Sequence, residues 1–420
     1  MTLVPGAWRG EFRRLWCGYA ISQLGSAVGT GELVLVAALV LHAAAWQVSF
    51  IAACSGLAAA ALVVPLGPWI EFHRKRPVMI GVDILRFTAL ASVPAAAVLG
   101  CLTFTQLCVV GVLQVAGAMV FSAASTAHLK ALIPATARGH ANGDLEATSW
   151  AATTAGPPIG GVLISAIGAV STVLLDAISF LFSAGFVRSL RTPEPPPPAR
   201  PPRRARTREV AAGWAYIRHH GVLRSLFVNA LLFGGGIMWI SPLLVVFMLR
   251  DLHLTPWQYG LSLGIQGCGG LAGALLAKKW LRRAASVRLM LITGTARCLP
   301  VCVLAAAPRG WAGWALITLA ETTLLFFAGM FNPTFGTYRM TATPDHLQAR
   351  VNTAWSVSSK VAQPLMIALG GLVATVGGTR TSIAIAAALI ITSTALLPWK
   401  QRQHNTPVAE PVPADMRSSR

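Results

Sequence analysis

Charge is scarce in this chain, and acid is scarcer than base. Of 420 residues only 11% are charged, with 14 Asp and Glu against 34 Lys and Arg. A water-soluble domain carries about a quarter charged residues, so a soluble globular fold is excluded. A hydrophobic share of 55% and a mean hydropathy of +0.62 point to a membrane protein. The net charge of +20 does not indicate nucleic acid, because Lys and Arg fall in the gaps between apolar runs and not on one face of a soluble core. Also missing are a His box, H-E-x-x-H, G-x-S-x-G and a P-loop, which removes the common hydrolase, metalloenzyme and ATP-driven readings. No metal, no cofactor and no enzymatic activity are expected. The seven cysteines (Cys17, Cys54, Cys101, Cys108, Cys268, Cys298 and Cys302) lie in or beside apolar segments without paired metal spacing; they read as buried thiols, and no disulfide is expected.

What is abundant is the long apolar run. A span needs about 20 mostly apolar residues, and such runs occur at 15–41, 46–70, 78–99, 103–124, 142–166 and 169–187, then at 224–248, 256–277, 287–306, 311–333, 351–375 and 379–398. The first run lacks a cleavage site and is long enough to cross, so it reads as a transmembrane helix, not a signal peptide. With both termini in the cytoplasm, outward turns keep only Arg250, Arg309 and Arg380, and most of the other Lys and Arg face inward. The positive-inside rule selects that topology over its reverse. Between the two sets of six lies "RTPEPPPPARPPRRARTREV", Pro-rich and basic, which reads as an extended linker. The segment after it has the spacing of an interfacial helix. The expected division is therefore a bundle at 1–187, a linker at 188–222, a second bundle at 223–399 and a cytoplasmic tail at 400–420.

Overlaying the halves aligns Pro134 with Pro344, Asn142 with Asn352, Gly160 and Gly161 with Gly370 and Gly371, and Gly168 with Gly378. Arg86 and Arg297 match with one more residue of offset. Two parallel six-helix repeats joined by a linker form a transporter architecture with the substrate site between them.

Several stretches in order resemble the major facilitator superfamily, and the similarity covers nearly the whole chain. The turn after the second run has Gly67, Glu71 and then Arg74, Lys75 and Arg76, similar to that family's loop signature. "PVMIGVDILRF", with Asp83 and Arg86, resembles the third span of the branch holding enterobactin and macrolide exporters. So do "LWCGYAISQLG", "LLDAISFLFSAGFVRSLRTP" and "YRMTATPDHLQARV". The resemblance implies an all-α membrane fold of twelve helices in two pseudo-symmetric six-helix bundles. It also implies that Gly67, Glu71, Arg74, Lys75, Arg76, Asp83 and Arg86 form a conformational latch. "AGPPIGGVL" resembles the family's antiporter motif through Gly156, Pro157, Gly160 and Gly161. Two departures stand out: Ser26 occupies a position where this branch often carries an acid, and the fourth span has no Arg.

Ionisable residues at membrane depth cost about 2.5–3.5 kcal/mol each on insertion scales and are functional by default. Glu32, Asp176, Glu321 and Lys360 lie well inside runs and are the proton-coupling candidates, with Glu32 first. Glu321 and Lys360 read equally as an ion pair between spans ten and eleven. Arg86 and Arg297 are expected to partner loop acids. Tyr19, Gln23, Asn229, Trp239 and Gln266 are the polar and aromatic candidates for a substrate cavity.

The expected activity is export of a small amphipathic compound (a drug, secondary metabolite or siderophore) by proton antiport with rocker-type alternating access. The expected setting is a monomer in the inner membrane, with the small molecule, the proton and the bilayer as partners. An importer or facilitator without proton coupling, and a non-transporting binding or scaffold protein of the same fold, are the alternatives.

Overall fold

A computed structural model of the chain describes residues 7–29, 31–132, 138–190, 206–281 and 287–399. The Pro-rich part of the linker, Pro134 and the tail at 400–420 lie outside the described residues, as do the side chains of Gly67 and Glu71. The helices are α1 (Ala7–Val28), α2 (Glu32–Leu39), α3 (Ala45–Glu71), α4 (Lys75–Val98), α5 (Phe104–Leu132), α6 (Arg138–Ile167) and α7 (Ala169–Arg188). Then come α8 (Arg206–His219), α9 (Gly221–Val246), α10 (Pro256–Leu281), α11 (Val287–Ala296), α12 (Trp311–Thr341) and α13 (Asp345–Thr392).

Among the described residues, nine stretches are long and apolar enough to cross a membrane as they stand. The last of them holds two spans, because Gly378 at φ 79° breaks α13 where the sequence leaves a gap between runs. The remaining two spans are α3 and α6, whose apolar pieces at Ala45–Ala58 and Ala151–Ile167 are shorter. Twelve spans result, in two six-helix bundles. Two of them differ from the uniform helices expected. The first breaks at Gly31, which takes φ 75°, a left-handed value that glycine adopts without a Cβ clash; it restarts at Glu32 as α2. The ninth leaves α-helix at Arg297 and ends as a 3₁₀ segment, Leu299–Ala306, where Pro300 lacks the amide an α-helix would use.

Within the first bundle α1 packs on α6 and α7, and α4 on α5 and α7; within the second α9 packs on α13 and α10 on α12. The bundles meet where α6 faces α10 and α3 faces α13. Helices in lipid gain little from burial of apolar surface against one another, so small residues that let backbones approach carry association. The four matched glycines supply that approach in two equivalent pairs. A Cβ on Gly160 would strike the Val28 carbonyl of α1, and one on Gly161 would sit 2.7 Å from Pro256 O and 3.0 Å from Gly260 Cα of α10. In the second repeat, a Cβ on Gly370 would meet Trp239 of α9, and one on Gly371 would lie 2.7 Å from Ser49 Cβ of α3. In each half the first glycine faces that bundle's first span and the second faces the opposite bundle's second span. The antiporter-like motif is thus a seam between bundles.

The linker helix α8 belongs to the second bundle. Its Trp214 Nε1 donates to Ser358 Oγ at 2.9 Å and its Tyr216 hydroxyl to Ala342 O at 2.8 Å. At the start of α4, Lys75 Nζ donates to His73 O at 2.6 Å and Arg76 donates to Arg188 O at the end of α7. These bonds tie the short turn after α3 to its own bundle.

Replacing Gly161 by Leu forces α6 and α10 apart. We expect the variant to fold with at most about 1–3 kcal/mol lost to overpacking and to lose cross-linking between cysteines placed on α6 and α10 at this level. Gly185→Leu is the control, because a Cβ there meets no atom within 4 Å.

Candidate functional site

The break at Gly31 decides where the first acid points. Glu32 opens α2 and is only 6% exposed. Asp176 of α7 faces it. A Cβ built on Gly29 would lie 2.6 Å from Glu32 Oε2 and 3.0 Å from Asp176 Oδ2, and one on Gly25 would lie 2.8 Å from Asp176 Oδ1. Gly25 of α1 and Gly29 just after it therefore leave the space that two carboxyls fill. Ser179 Oγ donates to Asp176 Oδ1 at 3.2 Å, whereas Glu32 Oε2 is buried with no donor aimed at it. Two adjacent carboxyls can hydrogen-bond each other only when one holds a proton.

The base of the cluster is Arg86 of α4. Its Nε donates to Gln114 Oε1 at 3.0 Å and an Nη to Ser26 Oγ at 3.4 Å, while Gln114 Nε2 donates back to Arg86 O at 2.8 Å. The guanidinium lies 3.8 Å from the centre of the Phe180 ring, a cation–π contact. The acids within its electrostatic reach are Asp176, Asp83 and Glu32. Asp83 is fully buried one turn earlier on α4, beside Ser183. Among the described residues the partners of Arg86 lie within the bundle and not in the loop: a 3.6-residue period puts it on the face of α4 turned to α5 and α7. It brings a guanidinium to the fourth span, which has none of its own.

Glu32, Asp176 and Arg86, with the Gln114 amide, form the polar wall of a cavity of about 1170 Å³. Apolar side chains such as Ile51 and Met119 line much of the rest, and Lys360 of α13 reaches it from the other bundle. Sites for drug-sized ligands are about 300–1,000 Å³, mostly apolar with a few placed polar groups. Sequence reasoning missed Gln114, a polar residue in an apolar run whose only signal was its depth, and read Arg250 only as an outward-turn charge and not as a contact between bundles.

Other candidates lie elsewhere. Glu321 is buried in the second bundle near Tyr259, and among the described residues no ion pair joins it to Lys360, because the two side chains leave α12 and α13 toward different neighbours. Asn229 is fully buried and does not line the cavity: its amide donates to Ser393 O at 2.8 Å, and its oxygen accepts from Arg297 at 2.9 Å. Arg297 stacks between Phe233 and Phe331, 3.8 Å and 3.7 Å from the ring centres; among the described residues it too is held by its own bundle and not by a loop acid. Trp239 packs on Gly370 and donates to Ser382 Oγ at 2.9 Å. Gln23 donates to Ser149 Oγ at 3.3 Å, Gln266 to Ser262 Oγ at 3.0 Å, and Tyr19 is half-buried on α1. None of these three lines the cavity.

At the end of the bundles away from the chain termini, the π-turn Phe247–Asp251 carries Arg250 across the seam. Its guanidinium donates to Ala38 O at 2.7 Å and to Ala43 O at 2.6 Å.

Two six-helix bundles around a charged central cavity define a secondary transporter. The family model for the Major Facilitator Superfamily matches residues 15–357 and 226–417, and the chain belongs to that family; it is a transporter and not an enzyme. The multidrug efflux pump Tap of Mycolicibacterium fortuitum is 27% identical over 325 residues, 74% of this chain and 76% of that protein. Tap of Mycobacterium tuberculosis (strain ATCC 25618 / H37Rv) is 27% identical over 391 residues, 90% of each chain. Among solved structures, a bacterial homologue of the iron transporter ferroportin in its inward-facing state superposes with a TM-score of 0.73 at 15% identity, covering 94% of this chain and 99% of that one. Its outward-facing state gives a TM-score of 0.57 at 15% identity, covering 92% and 98%.

Asn229→Ala removes the amide oxygen that holds the buried Arg297. We expect an apparent loss of stability of about 2–4 kcal/mol, read as a lower melting temperature in detergent, with ligand affinity unchanged.

Proposed function

We propose that this transporter exports small amphipathic compounds bearing a cationic group, in exchange for protons, from a bacterial inner membrane with both termini in the cytoplasm. The observation that carries this reading is the Glu32–Asp176 carboxyl pair on the wall of a cavity of about 1170 Å³. Two carboxylates in contact repel each other, and burial removes the water that would screen them. The pair is therefore relieved either by a proton or by a substrate cation, and not by both at once. That exclusivity is what exchange requires. Arg86, fixed by Gln114 and Phe180, keeps one negative charge in place while the other is exchanged.

The multidrug efflux relatives support a drug-type substrate, and drugs, secondary metabolites and siderophores are the compound classes to try. The better superposition on an inward-facing neighbour than on its outward-facing state, 0.73 against 0.57, supports a conformation open toward the cytoplasm. The glycine seam and Arg250 then close the outer end. We place the two working lobes at 1–187 and 223–399 in a monomer, with the residues between them as a linker and 400–420 as a tail. The basic turn at Arg74–Arg76, with Gly67 and Glu71, acts as the inner latch. Glu321, beside Tyr259, is the second candidate for proton uptake, after the Glu32–Asp176 pair.

Proton movement in energised inside-out vesicles tests this. A pH-sensitive dye reports while a panel of amphipathic cations is added to vesicles holding the parent or Glu32→Gln. We expect at least one compound to release the gradient through the parent and the variant to slow that release by at least about tenfold. Equal release through both would remove Glu32 from the mechanism.

A further inference from the structure

Among the described residues, Lys360 is the one charge on the cavity wall contributed by the second bundle. It is exposed, and among the described residues no hydrogen bond or ion pair engages it. Opposite it, Arg86 is held by Gln114, Ser26 and the Phe180 face, Asp176 accepts from Ser179, and Glu32 lies against Asp176. Lys360 stands one helical turn before Pro364, whose ring fills the space over Gly56 of α3. Gly56 also lines the cavity, so the ammonium group rises from the edge of the packed seam.

A fixed cation facing an open cavity, with no anion of the protein beside it, has its most favourable state when an anion arrives with the ligand. We propose that the cavity takes zwitterionic amphiphiles, with the amine of the ligand at Glu32 and Asp176 and its acidic group at Lys360. The apolar walls between these poles take the body of the molecule. This assignment rests on the cation-export reading above and adds its second pole.

The two poles belong to different bundles. A ligand with both charges is held by both bundles at once, and its affinity depends on how the bundles are set relative to each other. A simple cation touches the first bundle's acids and is repelled by Lys360. Substrate choice is therefore decided across the seam.

The test uses the full chain in lipid nanodiscs and one anthracene core carrying an aminomethyl group at one end, a carboxylate at the other, or both. Binding of the three probes is measured for the parent, Lys360→Gln, Lys360→Arg and Glu32→Gln, each checked for an unchanged elution profile and melting temperature. We expect the parent to bind the zwitterion about tenfold tighter than the monocation. Lys360→Gln should erase that ratio by weakening the zwitterion while the monocation binds equally or more tightly, and Lys360→Arg should restore it. A ratio untouched by Lys360→Gln, or equal weakening of both probes, would overturn the assignment while leaving cation export intact. Glu32→Gln should weaken both amine-bearing probes. If it weakens neither, or if the parent binds neither, the export reading falls and takes the second pole with it.

Discussion

The structure depends on backbones coming close together without a hydrophobic force to bring them. In water, two apolar helix faces associate because water is released. In lipid they must fit closely enough for dispersion alone to favour contact. At Gly161 and Gly260 the α6 and α10 backbones approach to a distance that leaves no room for a Cβ, and at Gly371 and Ser49 the same relation recurs between α13 and α3. These contacts run along the seam as far as the edge of the cavity, where Pro364 packs over Gly56. A contact set of this kind can be made or broken as a unit, which suits the alternating access proposed above.

The cavity chemistry has the opposite character. Its charged wall belongs almost wholly to the first bundle, and it is built by leaving things out: glycine at positions 25 and 29 makes the space, and Ser26 in place of an acid leaves Arg86 with an uncharged acceptor. The corresponding arginine of the second bundle, Arg297, is walled in by two aromatic rings and Asn229. The two halves repeat a glycine pattern but differ in what they bring to the cavity. The first places Glu32, Asp176 and Arg86 on its wall, and among the described residues the second places Lys360 there.

The fold was legible because span length and the distribution of Lys and Arg are one-dimensional properties, and twelve runs and a central linker follow from counting them. The glycine repeat was legible for the same reason. The site was legible only in part. Glu32 and Asp176 stood out by depth, but depth does not say which way a side chain leaves its helix. That is why Glu321 and Lys360, plausible partners on successive spans, turn to different neighbours. Asn229 and Trp239 looked like cavity residues because a polar or aromatic group in an apolar run has two explanations, and theirs is to hold a bundle together. The break at Gly31 was also invisible: the two glycines of "GTGEL" do not announce which of them is left-handed.

Helix α2 is eight residues long, about 12 Å at 1.5 Å per residue. Its first residue is Glu32, and near its other end the Ala38 carbonyl is held by Arg250 from the opposite bundle. At its start it is separated from α1 by the break at Gly31. It is thus a short stiff rod, hinged at one end and tethered at the other. Under the alternating access proposed above, separating the bundles at this end requires either that Arg250 release its carbonyls to water, or that the rod swing with it and move Glu32 relative to Asp176. In that scheme the Arg250 closure and the carboxyl pair are two ends of one lever.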